Sequence, residues 1–461
     1  MGHAGRLRGG GLQTLRYGNH RLLRPTIFVA FGCLWLQRHA ATRFALGGQR
    51  VIKRIAQRLR RISRAPQQRL QLTFVVVVVF VGRLSGMRRE HVPKRDNWQK
   101  RCEDAGFSFH SLDGLYWDEG ICYHFTPAQI ETLEKATTEL YTMCMAAAEH
   151  IIEKERFKEL AIPESAWALI RESWDDDHPS LFGRFDLAWD GTGSPKLLEF
   201  NADTPTSLIE ASVAQWHWLE DVKPKADQFN SLHEALIEQW KWLKAEHGYS
   251  HVHFTCVGDH EEDGGNLDYL RDTAIQAGLQ APWIAVEEIG WSEGDLAFVD
   301  TDNQRIETLF KLYPWEWLLA DEFGNNIRKT KMRIIEPAWK MVLANKGLLA
   351  ILWELYPDHP LLLNASFQRH KVLGDYVKKP LLSREGENVE IYKGGEVIRA
   401  DGTYGEEGFV YQQYTPIPSF EGNFVTIGSW IVGDAPAGIS LREDATEITM
   451  NTSRFVPHYF D

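Results

Sequence analysis

Residues 181–212 read LFGRFDLAWDGTGSPKLLEFNADTPTSLIEAS, and their reading decides the rest of the chain. The segment FGRFDLAW alternates apolar and polar residues, and KLLEFN is a second short extended segment. Between them DGTGSP supplies Asp, Gly and Pro, the residues of a turn. A hairpin folded at the middle of that turn sets Asp186 opposite Glu199 and Arg184 opposite Asn201. Side chains two apart share a face, so one face carries all four. Two carboxylates directly opposed destabilise a strand pair, unless a cation or a substrate lies between them. Two carboxylates and an amide are hard oxygen donors, suited to Mg²⁺ bridging phosphate oxygens. A shifted register would instead scatter the same charges along a solvated hairpin.

The chain has 461 residues, enough for two or three domains and a large core. Its net charge of −12 is unevenly spread. Of the 51 Lys and Arg, 16 fall in residues 1–86, which hold no Asp or Glu; the remaining 35 stand against 63 acidic residues. That balance argues against a nucleic-acid partner and suits a cationic ligand, or simply an acidic, soluble surface. Cys33, Cys102, Cys122, Cys144 and Cys256 form no CxxC pair and read as free thiols of a reducing compartment, the cytoplasm. The apolar run 72–81 is too short to span a bilayer and too deep in the chain for a secretory signal, so no membrane partner is expected. Residues 1–86 read as a non-native or disordered basic extension upstream of Met87, with a targeting tail as the alternative.

Thr126 followed by Pro127 opens a long helix to about Phe157, with Ile130, Leu133, Leu140, Met143 and Ala147 on helical spacing. Pro163 starts a shorter one. Residues 206–220 look helical, with Trp216 and Trp218 turned inward. From 229 to 300 helix and strand alternate: helix 231–246, strand 251–258, helix 267–277, strand 282–289. That is α/β with a parallel sheet. Ligands collect beyond the carboxyl ends of such strands, where His260, Glu261 and Glu262 form a loop; a solvated acidic loop is the alternative. Residues 336–356 read as one helix that includes Lys346. The basic strand end Val377–Lys379 leads into a loop with Ser383, Arg384, Gly386 and Asn388, then a hairpin turning on Gly394-Gly395. Such a loop can lie over phosphates, although no Walker GxxxxGK[ST] occurs. Strands 409–414 (FVYQQY), 424–432 and 438–441, ending at Arg442, complete an α+β lobe.

The motifs RFD, LLEFNADTPTSLIEA, NKGLLAILW, KKP and SREG together resemble the glutathionylspermidine synthase family of ATP-grasp ligases, closest to its short YjfC/YgiC-type acid–amine ligases. The resemblance runs from about Asn97 to the C-terminus. It implies a permuted ATP-grasp fold with a preATP-grasp-like α/β domain, with ATP and Mg²⁺ as cofactors. Residues 87–228 would carry the metal hairpin, 229–335 the preATP-grasp-like substrate region, and 336–461 the nucleotide-binding lobe. On this resemblance Asp186, Glu199 and Asn201 are the Mg²⁺ ligands, and Arg184 contacts the transferring phosphoryl group. Lys346 and Lys379 hold ATP phosphates, Glu385 and Gly386 belong to the covering loop, and Gln412, Gln413 and Tyr414 run along the adenine. Arg442 is a further active-site arginine. Thr204, Thr206, Glu261, Glu262, Trp317 and Arg384 fall at substrate-binding positions. Thr204-Pro205-Thr206-Ser207 replaces the serine-bearing stretch that holds glutathione in the family's synthases, and Trp317 replaces a threonine there, which points away from glutathione itself. The implied reaction activates a small carboxylate as an acyl phosphate and joins it to an amine, with a polyamine as the candidate. The alternative is a non-catalytic nucleotide- or polyamine-binding protein of the same fold.

Overall fold

Thr126 caps the long helix Pro127–Glu153: its hydroxyl accepts from Gln129 N (3.3 Å) while Gln129 Oε1 accepts from Thr126 N (2.8 Å). In this computed structural model residues 86–461 are described, except Asp113 and Thr452; the basic extension, but for Gly86, lies outside the described residues. Leu133, Leu140 and Ala147 bury one face of the helix against the core. The helix stops at Glu153; Arg156–Leu160 is a tighter 3₁₀ turn that buries Phe157, and Pro163 precedes helix Glu164–Asp175.

The molecule is mixed α/β with several sheets. The central six-stranded antiparallel sheet runs in the order Arg454–Val456, Ala435–Asp444, Asn423–Val432, Phe182–Ala188, Lys196–Asn201, with Ser419–Phe420 beside Asn423–Val432. The hairpin of residues 182–201 thus shares a sheet with the C-terminal strands, and Lys196–Asn201 forms its edge. The long helix lies across this sheet, tied by a hydrogen bond between the Thr137 and Ser429 hydroxyls (2.6 Å).

A five-stranded antiparallel sheet follows the order Ala365–Ser366, Phe409–Gln413, Tyr376–Pro380, Glu390–Lys393, Glu396–Arg399, its last hairpin turning on Gly394 and Gly395. The expected parallel sheet is present, four strands in the order Arg333–Ile335, Thr308–Lys311, His253–Cys256, Trp283–Ala285. Helices Leu232–His247 and Glu261–Gln276 belong to this region. Arg88–His91, Ile121–Phe125 and His458–Phe460 tie the described N-terminal segment to the C-terminus. Among the described residues no helix is long and apolar enough to cross a membrane.

Four local expectations need correction. Residues 206–220 are not one α-helix: Glu210–Ala214 is π-helical and Gln215–Val222 follows as α. Trp218 is buried, but Trp216 is 40% exposed, because residues two apart on a helix lie nearly opposite each other. The segment 259–263 is not a loop: the helix begins at Glu261, with His260 Nδ1 accepting from Asp263 N (3.2 Å) and three acids in the first turn. Those acids complement the positive helix N-terminus. The strand expected over 282–289 ends at Ala285 and passes into a 3₁₀ turn. The helix expected over 336–356 is broken into Met341–Ala344 and Leu348–Leu355. Asn345 causes the break, since its side chain binds the backbone (Leu160 O 2.8 Å, Gly347 N 2.9 Å) in competition with helical bonds.

Candidate active site

The hairpin pairs in the register that its turn dictates, Arg184 with Asn201 and Asp186 with Glu199, with a bulge between Asp186 and Leu187. Arg184 Nε and Nη2 donate to Asp186 (2.7 and 3.2 Å), and its Nη1 donates to the Thr206 carbonyl (3.0 Å). The Asn201 amide donates to Asp186 Oδ2 and to Glu199 Oε1, both at 3.2 Å. Burial raises the Asp186 carboxyl above its ordinary range, with the Glu199 charge adding and Arg184 opposing. Burial also works against the Glu199 carboxylate, but Lys346 and Lys379 outweigh it and bring that group down to about 2.

This donor set fits a divalent cation. Two carboxylates converge on one amide, and burial together with the Glu199 charge disfavours the Asp186 carboxylate although Arg184 pairs with it. The amide turned over would offer its oxygen between them. Asp186, Glu199 and Asn201 therefore have the oxygen chemistry that Mg²⁺ takes.

The helix break puts Lys346 in reach of the hairpin. Its Nζ contacts Glu199 Oε2 (3.0 Å) and donates to the Ser383 carbonyl (2.6 Å). Lys379, at the end of Tyr376–Pro380, donates to the Leu198 carbonyl (2.7 Å) and Gln412 Oε1 (2.8 Å), and burial lowers its ammonium to about 8. Asp186, Glu199, Lys346 and Lys379 share a cleft of about 720 Å³ with Gly386, Gln412, Gln413 and Tyr414. Val377, Ile391 and Ile417 give that cleft apolar wall, and the Tyr414 hydroxyl reaches Glu447 (3.2 Å). Gly386 has φ 73°, and a Cβ there would lie 2.7 Å from the Thr449 carbonyl, so the loop needs glycine at this point.

A second cleft, of about 640 Å³, meets the first at Lys346, which lines both. Asn201, Thr204, Glu316, Ser383 and Arg384 line it. Arg384 donates to Thr204 Oγ1 (2.7 Å) and Glu316 Oε1 (2.9 Å), with the Trp317 ring 5.8 Å away. Ser383 Oγ and Arg384 Nε are buried without a hydrogen-bond partner.

The two expected acids separate. Glu262 is buried and accepts from the Tyr116 hydroxyl (3.2 Å); Glu261 is exposed and accepts from Ser108 (3.1 Å). Tyr116 also donates to Glu210 (2.7 Å), whose other oxygen is buried and unpartnered. Burial, then the Glu262 charge, pushes the Glu210 carboxyl up to about 8. Arg442, held by the Met450 carbonyl (2.6 Å), lies within electrostatic reach of Asp186, Glu210 and Tyr116. Glu385 does not line the cleft shared by Lys346 and Lys379; burial and the Glu262 charge raise its carboxyl. Sequence reasoning missed Tyr116 and Glu210. The available signal for Glu210 was a lone acid inside the apolar run LIEASVA.

Residues 89–461 match the family model described as glutathionylspermidine synthase preATP-grasp. A Haemophilus influenzae protein named "Putative acid–amine ligase" is 45% identical over 385 residues, covering 80% of this chain and 98% of that one. Trypanothione synthetase of Crithidia fasciculata is 29% identical over 69% of this chain and 53% of its own length. The bifunctional glutathionylspermidine synthetase/amidase of Escherichia coli is 27% identical over 81% of this chain and 65% of its own. The chain thus spans about half to two thirds of these two longer relatives. Among solved structures, a glutathione synthetase-like effector from Globodera pallida aligns with a TM-score of 0.46 at 10% identity, over 80% of this chain and 98% of that one. By the match over residues 89–461 and the identity to its short bacterial relative, the chain belongs to the glutathionylspermidine synthase family of amide-forming acid–amine ligases.

Proposed function

We propose that the chain is an ATP- and Mg²⁺-dependent carbon–nitrogen ligase with a permuted ATP-grasp fold. One observation carries the reading: Asp186 and Glu199 share a cleft with Lys346, Lys379 and an apolar wall that reaches Tyr414. That combination suits a polyphosphate at one end and a planar base at the other. Residues 336–461 serve as the nucleotide-binding lobe, 229–335 as the preATP-grasp-like substrate region, and 87–228 supply the hairpin.

A carboxylate oxygen of the acid attacks the γ-phosphorus of ATP. The bond to the β,γ-bridging oxygen breaks, ADP leaves with that electron pair, and an acyl phosphate remains. A neutral amine then attacks the acyl carbon, phosphate departs, and the amide forms as the nitrogen loses its proton. Mg²⁺ held by Asp186, Glu199 and Asn201 would offset charge on the phosphate oxygens. Lys346, Lys379 and Arg184 add fixed positive charge where it develops, so the protein works by position and electrostatics. Lys346 is already aimed by Glu199 and the Ser383 carbonyl, and exchanges those partners for phosphate oxygens.

The acid lies in the second cleft, against Thr204 and Arg384, with the Thr206 carbonyl holding Arg184 from behind. Trp317 does not line that cleft; it is 42% exposed, with its ring 5.8 Å from Arg384. The amine approaches past Arg442 and the Tyr116–Glu210–Glu262 cluster, which suits a polyamine whose second ammonium needs a carboxylate partner. Cys102, Cys122, Cys144 and Cys256 are buried free thiols, in keeping with a cytoplasmic enzyme.

The test is ADP release, with and without Mg²⁺, across amino acids and short peptides paired with polyamines. Release that needs Mg²⁺ and both partners is expected. Nucleotide binding without turnover in any pair would overturn the ligase reading and leave a non-catalytic nucleotide- or polyamine-binding protein.

A further inference from the structure

The hairpin that bears Arg184, Asp186, Glu199 and Asn201 is gripped at both ends by one buried polar network. At its start Glu336 accepts from the backbone N–H groups of Leu181 and Phe182, each at 3.0 Å. Lys340 donates to Glu336 Oε2 (2.9 Å), Ser180 Oγ (2.7 Å) and the Phe182 carbonyl (2.6 Å). At its end, two residues past Asn201, Asp203 accepts from Lys311 Nζ (2.5 Å) and from Trp315 N (3.0 Å). The two grips are joined, since Trp315 Nε1 donates to the Glu336 carbonyl (3.0 Å). All five residues are buried, and Lys311, Glu336 and Lys340 line neither cleft.

Stability alone is a poor reason for two buried Lys–carboxylate pairs. Well-packed apolar residues in place of such a pair are often neutral or stabilising, because taking both charges out of water is costly. Charged hydrogen bonds do fix direction and register, which apolar contacts do not. Register matters most at Lys196–Asn201, an edge strand that pairs within its sheet only with Phe182–Ala188, through a bulge beside Asp186. Glu199 and Asn201 both ride on that strand, and Asp203 is the first charged side chain beyond it.

We propose that Asp203 and Lys311, joined through Trp315 to Glu336 and Lys340, are positioning residues that set the spacing of Asp186, Glu199 and Asn201. Lys311 pins the end of the edge strand through Asp203, and Glu336 pins the start of its partner strand. The inference rests on the hairpin being the Mg²⁺ site.

The test pairs Lys311→Met with Asp203→Asn in the full chain. The asparagine oxygen can still accept from Trp315 N, and no lone charge is left buried. The melting temperature should change by only a few degrees. Amide exchange over residues 196–203 should speed up by about tenfold or more without any ligand. Mg²⁺ affinity, measured by calorimetry with a non-hydrolysable ATP analogue, should fall about 10–100-fold, while metal-free nucleotide affinity stays within about twofold. Trp315→Phe keeps an aromatic ring and the backbone N–H to Asp203 but loses the link to Glu336 and some buried ring volume; it should move exchange and Mg²⁺ affinity the same way, by less, and decides the matter if the double variant does not fold. Unchanged exchange over 196–203 together with unchanged Mg²⁺ affinity would overturn the proposal. If the wild type itself takes up no Mg²⁺ with nucleotide, the metal reading fails, and the exchange rates alone still decide whether the network holds the strand.

Discussion

Asp186 and Glu199 stand directly opposite each other across the hairpin, and one amide, that of Asn201, donates to both at 3.2 Å. Opposed carboxylates repel, so neutralising either one should remove a metal donor and relieve the fold together. Asp186→Asn and Glu199→Gln are each expected to abolish Mg²⁺-dependent ADP formation. Without metal, Asp186→Asn relieves that repulsion but offers one acceptor oxygen where Arg184 and Asn201 use two, so it should melt within a few degrees of wild type. Glu199→Gln should gain less, because it also leaves Lys346 without its carboxylate. Wild-type rates in both variants would remove the metal from this face.

Glu210 gives a pH dependence with a definite sign. Its folded carboxyl titrates at about 8, above its ordinary value, so between those limits the folded chain binds the proton more tightly than the unfolded one. Stability from this group is therefore present at low pH and lost as pH rises toward about 8. Glu210→Gln, which keeps an acceptor for Tyr116, should melt like wild type near pH 4.5 and progressively higher than wild type as pH rises to 8. A stability difference that is flat across this range would show that Glu210 is ionised normally.

The hairpin was legible because its register is set locally, by turn residues and alternation, and Arg184, Asp186, Glu199 and Asn201 all follow from it. Lys346 was readable as a phosphate lysine by resemblance but not as a residue in a helix break. The break depends on Asn345 reaching the Leu160 carbonyl, a contact across 185 residues of chain. Trp216 was placed inward although period alone puts it opposite Trp218. Asp203 and Lys311 left no mark in the sequence, because they meet only after separate sheets have docked; Glu336 has Lys340 four residues on, but its bonds to Leu181 and Phe182 need the folded chain. Tyr116 was invisible for the same reason: its acids come from two distant segments.

The loop of residues 381–389, which we propose covers the nucleotide, has two kinds of restraint. Arg384 ties it to Thr204 and Glu316, and Lys346 ties it through the Ser383 carbonyl. Nucleotide should draw Lys346 onto phosphate while Gly386, already facing the cleft, closes over it. Hydrogen exchange over residues 381–389 should slow with ATP analogue and Mg²⁺. Arg384→Ala should speed exchange there in the free protein and raise the KM of the acid more than that of ATP. No protection at saturating nucleotide would mean that this loop does not cover the site.

The acids at the start of helix Glu261–Gln276 should differ in their effect on the amine. Glu262 is buried and shares Tyr116 with Glu210, whereas Glu261 is exposed beside Ser108. A carboxylate kept from water gains far more from a cation than one that water already solvates. A polyamine whose second ammonium enters this cluster would give the Glu262 carboxylate a positive partner and draw the proton from Glu210, which burial and Glu262 otherwise push up to about 8; a monoamine would do neither. Discrimination therefore resides in the buried pair, because unpaired buried groups penalise the wrong substrate. Glu262→Gln is expected to raise the KM of a polyamine by at least about tenfold, in line with the loss of one desolvated charge–charge contact. Glu261→Gln should change it by less than about threefold, as for an exposed pair, and the KM of ATP should stay unchanged in both. Steady-state kinetics with a polyamine and with its monoamine analogue reads the difference. The idea fails if Glu261→Gln has the larger effect, or if the monoamine is used as well as the polyamine by the wild-type enzyme.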